Sequence, residues 1–225
     1  MKKTLYHGSE FKIEKPLFGA GNVANDYGLG FYCTEQLELA YEWAVDDLRD
    51  GFANVYELET DGLDILDLNG TEYCELHWLA VLLENRTFDM VSPLAAEARD
   101  YLLTNFLPNY QERDVIVGYR ADDSYFAYAQ DFITGGISLR QLSNAMKLGK
   151  LGLQFVVKSE RAFGRLQYVE SLPASAKDWF KSKDERDSAA RYAYLHSERH
   201  KRQKGDLYVT AILDEEMRPG DARLQ

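Results

Sequence analysis

Cysteines are few and long apolar runs are missing from this chain, and each absence excludes a class of protein. Cys33 and Cys74 are its only cysteines, too few for the disulfide framework of a small secreted domain. Its apolar runs fall well short of the ~18 residues that a membrane-spanning helix needs. The start Met1-Lys2-Lys3 is typical of a signal peptide, but polar residues soon follow it. We therefore expect a cytoplasmic protein with no membrane segment.

Basic residues are also scarce, since 26 Lys and Arg face 37 Asp and Glu, for a net charge of −11. This balance argues against broad nucleic-acid binding, which depends on neutralising phosphates. Residues 177–204, called here the basic segment, are the exception. They hold nine Lys or Arg against five Asp or Glu, a net of +4, which leaves −15 for the rest. We expect this segment to contact a partner; the alternative is a solvated helix that packs through Trp179, Phe180 and Tyr192.

The composition is that of a globular protein, with 225 residues of which 45% are hydrophobic and 13% aromatic. Local patterns predict β-strands over residues 3–8, 54–59, 63–68, 114–119, 153–157, 167–170 and 207–213. They predict helices over 34–48, 73–84 and 174–201, and two more that begin at the N-cap residues Ser92 and Ser138. Strands are grouped apart from helices instead of alternating with them, which predicts an α+β fold.

Glycines stand at distinctive positions in the first third of the chain. Gly8 follows a short apolar strand, and Gly28 and Gly30 bracket a loop some twenty residues later. Because glycine has no Cβ, it allows the backbone to approach a ligand closely or to adopt a positive φ. We therefore interpret these glycines as parts of a binding site.

Three ring-bearing side chains accompany these glycines. His7 directly precedes Gly8, Tyr32 follows the glycine loop, and Tyr41 lies on the predicted helix after it. A histidine ring can donate a hydrogen bond, and tyrosines offer flat faces with a hydroxyl at the edge. This set suits a planar, amide-bearing ring with an attached ribose. The alternatives are a strand-end histidine satisfied locally and tyrosines that belong to the core.

These motifs resemble the nicotinamide pocket of the ADP-ribosyltransferase superfamily, in its histidine–tyrosine branch. The chain is also similar to a bacterial family of ADP-ribosyltransferase-like proteins known mainly as a domain of unknown function (DUF3990). The similar blocks cover roughly the first 170 residues and lie at residues 5–9, 26–32, 40–44, 117–123 and 154–156.

The resemblance implies a split β-sandwich that holds NAD in the cleft between its two sheets. It implies a transferase-like domain over residues 1–171, with a helical insertion at about 71–112. Residues 172–225 would then add the basic C-terminal helix and a closing strand to the same compact unit.

By the same resemblance, His7 hydrogen-bonds a ribose of NAD, and the main chain of Gly8, with Ser9 beside it, grips the carboxamide. Tyr32 and Tyr41 hold the nicotinamide ring between them. The catalytic set is His7, Tyr32 and a third residue, at the position where the compared transferases have a glutamate. Here that residue is Gln154.

Gln154 departs from the transferase pattern because its amide has no charge. It can accept a ribose hydroxyl, but it cannot balance the positive charge of the oxocarbenium ion formed when the glycosidic bond breaks. A carboxylate ~4 Å from that ion contributes about 4 kcal/mol at a dielectric of ~20, or up to about a thousandfold in rate. Strand alternation puts Gln154 and Val156 on one face and Leu153, Phe155 and Val157 on the other.

Two further groups of residues are weaker candidates. Asp122 and Asp123 lie between a predicted strand and a predicted helix. They are read either as an N-cap or as carboxylates that bind acceptor or ribose, and we include Asp123 among the cofactor-binding candidates. His196 and His200 lie four residues apart, but no third ligand accompanies them. We therefore predict no metal site.

Together these features predict an NAD-dependent mono-ADP-ribosyltransferase, with NAD as a substrate that releases nicotinamide. Its acceptor would be an unidentified macromolecule, either protein or nucleic acid. A bacterial toxin with a partner or antitoxin on the basic segment is one form of this hypothesis. The alternative is a non-catalytic module that has a degenerate transferase fold and binds NAD or a partner.

Overall fold

Seven β-strands and eight α-helices make up the part of the chain that the structure, a computed structural model, describes. That part is residues 1–120 and 123–224, with only the backbone considered for 123–125. The chain divides into two compact units. Unit 1 comprises Met1–Asp67, Asn109–Arg120 and Leu151–Arg186, and unit 2 comprises Leu68–Pro108, Ala121–Lys150 and Asp187–Gln225. The mixture of sheets and helices confirms the α+β class.

The strands all lie in unit 1: β1 (Lys2–Ser9), β2 (Phe31–Cys33), β3 (Gly51–Glu59), β4 (Ile65–Asp67), β5 (Val115–Tyr119), β6 (Leu153–Val157) and β7 (Leu166–Ala174). They form one sheet of order β1-β3-β7 and another of order β2-β6-β5-β4. Among the hydrogen-bonded strand pairs of the described residues, only β4 and β5 pair in parallel, and neither sheet closes into a barrel.

A backbone bridge joins the two sheets. Tyr6 of β1 and Thr34, just after β2, exchange hydrogen bonds of 2.8 and 2.9 Å. Beside this bridge the sheets share one cluster of buried residues, namely Leu5, Cys33, Leu58, Val115, Val117, Phe155, Val157 and Ala162. We call it the interior cluster. Burying each large aliphatic side chain contributes roughly 1.5–3 kcal/mol.

The helices are α1 (Leu37–Ala44), α2 (Glu75–Asn85), α3 (Pro93–Phe106), α4 (Asp123–Ile133), α5 (Leu139–Ala145), α6 (Glu160–Phe163), α7 (Ala176–His196) and α8 (Val209–Asp214). Two predicted N-caps are confirmed. The Ser92 side chain accepts from Ala95 N, and Ser138 and Gln141 form a reciprocal capping box. Within the described residues, no helix combines the length and the hydropathy needed to cross a membrane.

Unit 2 is helical and is centred on α2. Every residue of α2 from Leu76 to Leu83 is buried, as its nearly all-round apolar pattern predicts. Helix α3 packs against α2, and α8 packs against α3. The helical insertion predicted at about 71–112 is therefore helical in its central part, whereas the predicted boundary between residues 171 and 172 stays a prediction.

One assignment near the C-terminal end was wrong. The closing strand predicted over 207–213 is α8, whose buried residues Val209 and Ile212 lie three apart, on one helical face. Its β-branched residues suggested a strand, but such preference depends strongly on context. The strand predicted over 167–170 is longer than expected, since β7 extends through Leu172 and Pro173 to Ala174. Because β7 is an edge strand, the missing N–H of Pro173 is tolerated there.

The segment after the glycine loop also differs from expectation. Phe31–Cys33, where no strand was predicted, is strand β2, which pairs with β6. Helix α1 begins at Leu37 with Gln36 as its cap, and not at the predicted cap Thr34. Because its backbone pairs with Tyr6, Thr34 is held in an extended conformation instead of capping the helix.

Candidate functional site

His7 is held near the end of β1 by the backbone of β2. Its Nδ1 lies 2.7 Å from the carbonyl oxygen of Tyr32. A carbonyl only accepts, so Nδ1 donates, and the neutral ring keeps a lone pair on Nε2. Burial lowers the pKa of His7, although the hydrogen bond to Tyr32 opposes this change. The imidazole is therefore neutral at pH 7 and offers Nε2 as an acceptor.

The His7 ring also stacks on Phe31, with centroids 4.2 Å apart and planes 30° apart. Phe31 packs against the interior cluster. Because side chains alternate along a strand, the neighbouring Tyr32 points to the opposite face. The His7 ring therefore contacts the face of β2 that carries Phe31, whereas the Tyr32 ring lies on the other face of β2, and the two residues are joined through the Tyr32 carbonyl.

Gly8 and Ser9 are engaged with the protein. A Cβ on Gly8 would lie 2.2 Å from Ala40 O and 2.8 Å from Ala44 N, so glycine is needed there for β1 to pack against α1. The Ser9 hydroxyl accepts from Phe11 N at 3.2 Å, a local turn contact. The glycine at position 8 is thus explained by packing, and a role of either residue with a ligand stays a prediction.

Tyr32 uses its hydroxyl to hold a tight turn at residues 25–28. The hydroxyl donates to Gly28 O at 2.5 Å and accepts from Tyr27 N at 3.1 Å. Gly28 N donates to Asn25 O at 2.9 Å, and Gly28 has a φ of 72°. Gly28 thus adopts the positive φ that was one of the two reasons expected for a glycine in this loop. At Gly30, by contrast, a Cβ would lie 2.6 Å from Val156 Cγ1, so glycine there allows close packing on β6.

This turn presents Asp26 to Gln154. The Gln154 Nε2 donates to Asp26 Oδ2 over 3.4 Å, and the two residues are only 4% and 7% exposed. The Gln154 Oε1 is buried and accepts no hydrogen bond from the described residues. Strand register confirms that Gln154 and Val156 share one face, opposite to Phe155 of the interior cluster.

Tyr27 anchors the same turn on β5. A Cβ at Gly118 would lie 2.2 Å from the Tyr27 hydroxyl, so this glycine makes room for the ring. The hydroxyl donates to Tyr119 O at 2.6 Å. Lys158 Nζ donates to Tyr27 O at 2.7 Å and lies 5.4 Å from the centre of the Tyr110 ring. Burial lowers the pKa of Lys158.

Tyr41 belongs to a second cluster within unit 1. Its ring stacks on Trp179 of α7, with centroids 4.8 Å apart and planes 25° apart. Ala44, Val45 and Ala174 form the buried centre of this cluster. Burial also raises the pKa of the Tyr41 hydroxyl, which therefore stays protonated. One face of the ring predicted to clamp nicotinamide is thus covered by Trp179.

The structure therefore brings Asp26, Tyr32 and Gln154 together and joins His7 to them through the Tyr32 backbone. Helix α4 begins at Asp123, but Asp122 and the Asp123 side chain lie outside the described residues. Their predicted role stays a prediction. Among the described residues, no group of three or more His, Cys, Asp or Glu side chains could hold a metal ion.

Four site residues were missed by sequence reasoning: Asp26, Tyr27, Lys158 and Trp179. Asp26 and Tyr27 lie in a block used for the resemblance, but that block assigned them no role. A signal was present, since an aspartate before a glycine turn often bonds locally. Nothing local marks Lys158 or Trp179, whose partners lie 131 and 138 residues away.

Fold and site define an α+β protein with two sheets joined at β1 and β2 and a buried polar cluster beside that junction. The family model described as "Protein of unknown function (DUF3990)" matches residues 3–168. The chain therefore belongs to this family, and the matched region includes His7, Tyr32 and Gln154. No curated protein and no solved structure matches the chain significantly.

Proposed function

We propose that this chain is an NAD-dependent mono-ADP-ribosyltransferase that transfers ADP-ribose to a macromolecular acceptor and releases nicotinamide. The observation that carries the proposal is the position of Tyr32 between the other two candidates. Its carbonyl accepts from His7, and its hydroxyl holds the turn that meets Gln154. Residues far apart in sequence thus converge on one short strand.

The hydrogen-bond acceptor that supports the binding of a ribose is Gln154 Oε1, which is buried with no donor among the described residues. His7 Nε2 also has a lone pair, but the His7 ring lies with Phe31 on the other face of β2 and would bind a different part of NAD. A buried acceptor that lacks a donor costs about 1–3 kcal/mol. A ribose hydroxyl that donated to Gln154 Oε1 would recover this cost, and in this proposal NAD supplies the hydroxyl. Gly8 and Ser9 would bind the carboxamide.

In the proposed reaction the bond between ribose C1′ and the nicotinamide nitrogen breaks. The electron pair leaves with nicotinamide, whose ring becomes neutral, and positive charge develops on the ribose. A nucleophile of the acceptor, either protein or nucleic acid, bonds to C1′ and loses its proton to solvent. Catalysis of this kind depends on positioning and electrostatic stabilisation.

Two observations favour a second candidate, a non-catalytic module that binds NAD or a partner. The amide of Gln154 has no charge, and the Tyr41 ring already stacks on Trp179. In either case we propose that the basic segment contacts the acceptor, a partner or an antitoxin. Its exposed cations within unit 2 are Arg191, Arg199, Lys201, Arg202 and Lys204.

Thermal melting with NAD tests the proposed binding, with His7→Ala as the disruptive variant and His200→Ala, an exposed histidine, as the matched control. NAD at 100 times its dissociation constant stabilises the folded state by about 2.7 kcal/mol. We expect millimolar NAD to raise the melting temperature of the unmutated protein and of His200→Ala, but not of His7→Ala. An unchanged melting temperature at several millimolar NAD would reject the proposal.

Nicotinamide release separates the two candidate functions. A transferase releases nicotinamide from NAD when its acceptor is present in a cell extract, and ADP-ribose then appears on a macromolecule by mass spectrometry. Binding of NAD without release in any extract would favour the non-catalytic module.

A further inference from the structure

Asp26 and Gln154 form a buried carboxylate–amide pair whose geometry sets the orientation of the amide. A carboxylate of aspartate only accepts hydrogen bonds, so the NH₂ group of Gln154 must face Asp26. The carbonyl end of the same amide must then point away from Asp26. That end is the Oε1 atom that accepts no hydrogen bond from the described residues.

Hydrogen bonds hold the residue next to Asp26. The Tyr27 N–H donates to the Tyr32 hydroxyl, its carbonyl accepts from Lys158, and its hydroxyl donates to the Tyr119 carbonyl. These bonds fix the backbone beside Asp26, whose carboxylate lies 3.4 Å from Gln154 Nε2.

We propose that Asp26 is a positioning residue of the NAD site, an inference that rests on the proposed transferase function. Asp26 orients Gln154 so that Oε1 accepts a hydroxyl of the nicotinamide ribose. It also supplies the negative charge that a lone amide lacks. The pair thus does the work of the single glutamate that the resemblance led us to expect.

The expected size of the charge effect follows from distance. The Asp26 carboxylate lies 3.4 Å beyond the Gln154 amide. With the amide and a hydrogen bond to the ribose in between, it would be roughly 9 Å from the developing positive charge, which at a dielectric of ~20 corresponds to about twentyfold in rate. The direct loss of a carboxylate at ~4 Å was expected to cost up to about a thousandfold, so the pair would recover part of that loss.

A charge swap tests this inference, with nicotinamide release and NAD affinity by calorimetry as readouts. Asp26→Asn keeps the shape but removes the charge, and we expect release to fall about ten- to twentyfold. Gln154→Glu puts two carboxylates side by side, where one must bind a proton. We expect this variant to lose activity as the pH rises through neutrality and to regain it at lower pH.

The double variant Asp26→Asn/Gln154→Glu is the decisive test. Here the amide of residue 26 can donate to the carboxylate of residue 154, whose second oxygen accepts the ribose hydroxyl. We expect it to recover release to within a few-fold of the unmutated protein, with an ordinary pH profile. Asp47→Asn, an exposed acid of the same unit, is the matched control and leaves release unchanged.

The outcomes separate this inference from the function on which it rests. If the unmutated protein releases nicotinamide and Asp26→Asn is equally active, the inference is wrong and the function stands. A double variant no better than the single variants also overturns it, as does a failure of both Asp26→Asn and the double variant to fold. If the unmutated protein neither binds nor cleaves NAD, the function and the inference both fall.

Discussion

Two buried glutamines, one in each unit, have opposite hydrogen-bonding situations. Gln141 in unit 2 is completely buried, and its amide is fully used: Oε1 accepts from Ser138 N, and Nε2 donates to Glu198 O and Arg199 O at 2.9 and 3.0 Å. Gln154 in unit 1 is 4% exposed, and among the described residues only its Nε2 has a partner. The first glutamine has the contacts of a structural residue, whereas the second has an acceptor that we propose a ligand fills.

The comparison shows that burial alone does not reveal the role of a polar side chain. Folding has to provide partners for buried polar groups, because each one left without a partner reduces stability. Gln141 meets this requirement through a capping box and two carbonyls of a short 3₁₀ helix. Gln154 meets this requirement at Nε2 but not at Oε1 within the described residues, and the proposed ligand would supply the missing donor.

The largest expected effect is on the stability of the Gln141→Ala variant. The change removes partners from Ser138 N and two carbonyls and leaves a cavity, so we expect a loss of about 2–4 kcal/mol in the free energy of unfolding. Urea unfolding measures it, with the exposed Gln203→Ala as control. A loss below about 0.5 kcal/mol would contradict the structural role of Gln141.

The next largest effect is on the activity of Gln154→Ala. We expect nicotinamide release to fall about a hundredfold, equivalent to about 2.7 kcal/mol of transition-state stabilisation. Stability should fall less than in Gln141→Ala, because Oε1 has no protein partner to lose. Release assays and urea unfolding on the same preparation measure both quantities. Full activity in this variant would remove Gln154 from the site.

The smallest effect is on the pH dependence of stability, and it distinguishes a buried histidine from an aspartate paired with an arginine. The pKa of His7 is lowered by burial, so the unfolded chain binds a proton more readily as the pH falls below about 6.5. The native state is then destabilised by up to about 1.4 kcal/mol per pH unit, until the pH passes the folded pKa. His7→Gln should reduce this loss in urea unfolding between pH 7 and 5, and the part that remains is expected from His77, whose pKa burial also lowers.

Asp206 in unit 2 gives the contrasting pH window. Its hydrogen bond with Arg140 lowers its pKa, so its contribution is present above the unfolded value near 3.8 and is lost as the pH falls through the folded pKa. Asp206→Asn should therefore leave the slope of the unfolding free energy against pH unchanged between pH 5 and 7. It should reduce that slope only at more acidic pH. A change of slope near pH 6 in Asp206→Asn would contradict this assignment.

Much of the fold follows from local sequence signals. Strand β6 was predicted with its observed bounds, Leu153–Val157, and the capping serines Ser92 and Ser138 were identified correctly. Alternation also predicted which face of β6 carries Gln154. These signals are reliable because caps and strand alternation depend on residues only a few positions apart.

Other features depended on distant partners. The segment at 207–213 forms a helix because one of its faces packs in unit 2, and β7 contains Pro173 because it lies at a sheet edge. The glycine at position 8 was attributed to a ligand, but it is explained by the backbone of α1. No local pattern distinguishes these cases from their alternatives.

The sequence by itself determined the class of the fold and the family, and it identified His7, Tyr32 and Gln154 as candidate site residues. Only the tertiary structure decided that Asp26 meets Gln154, 128 residues away, and that Trp179 covers a face of Tyr41. The physical reason is that short-range geometry is encoded by neighbouring residues. The partner of a buried polar or aromatic group is instead set by which surfaces the sheets and helices bring together.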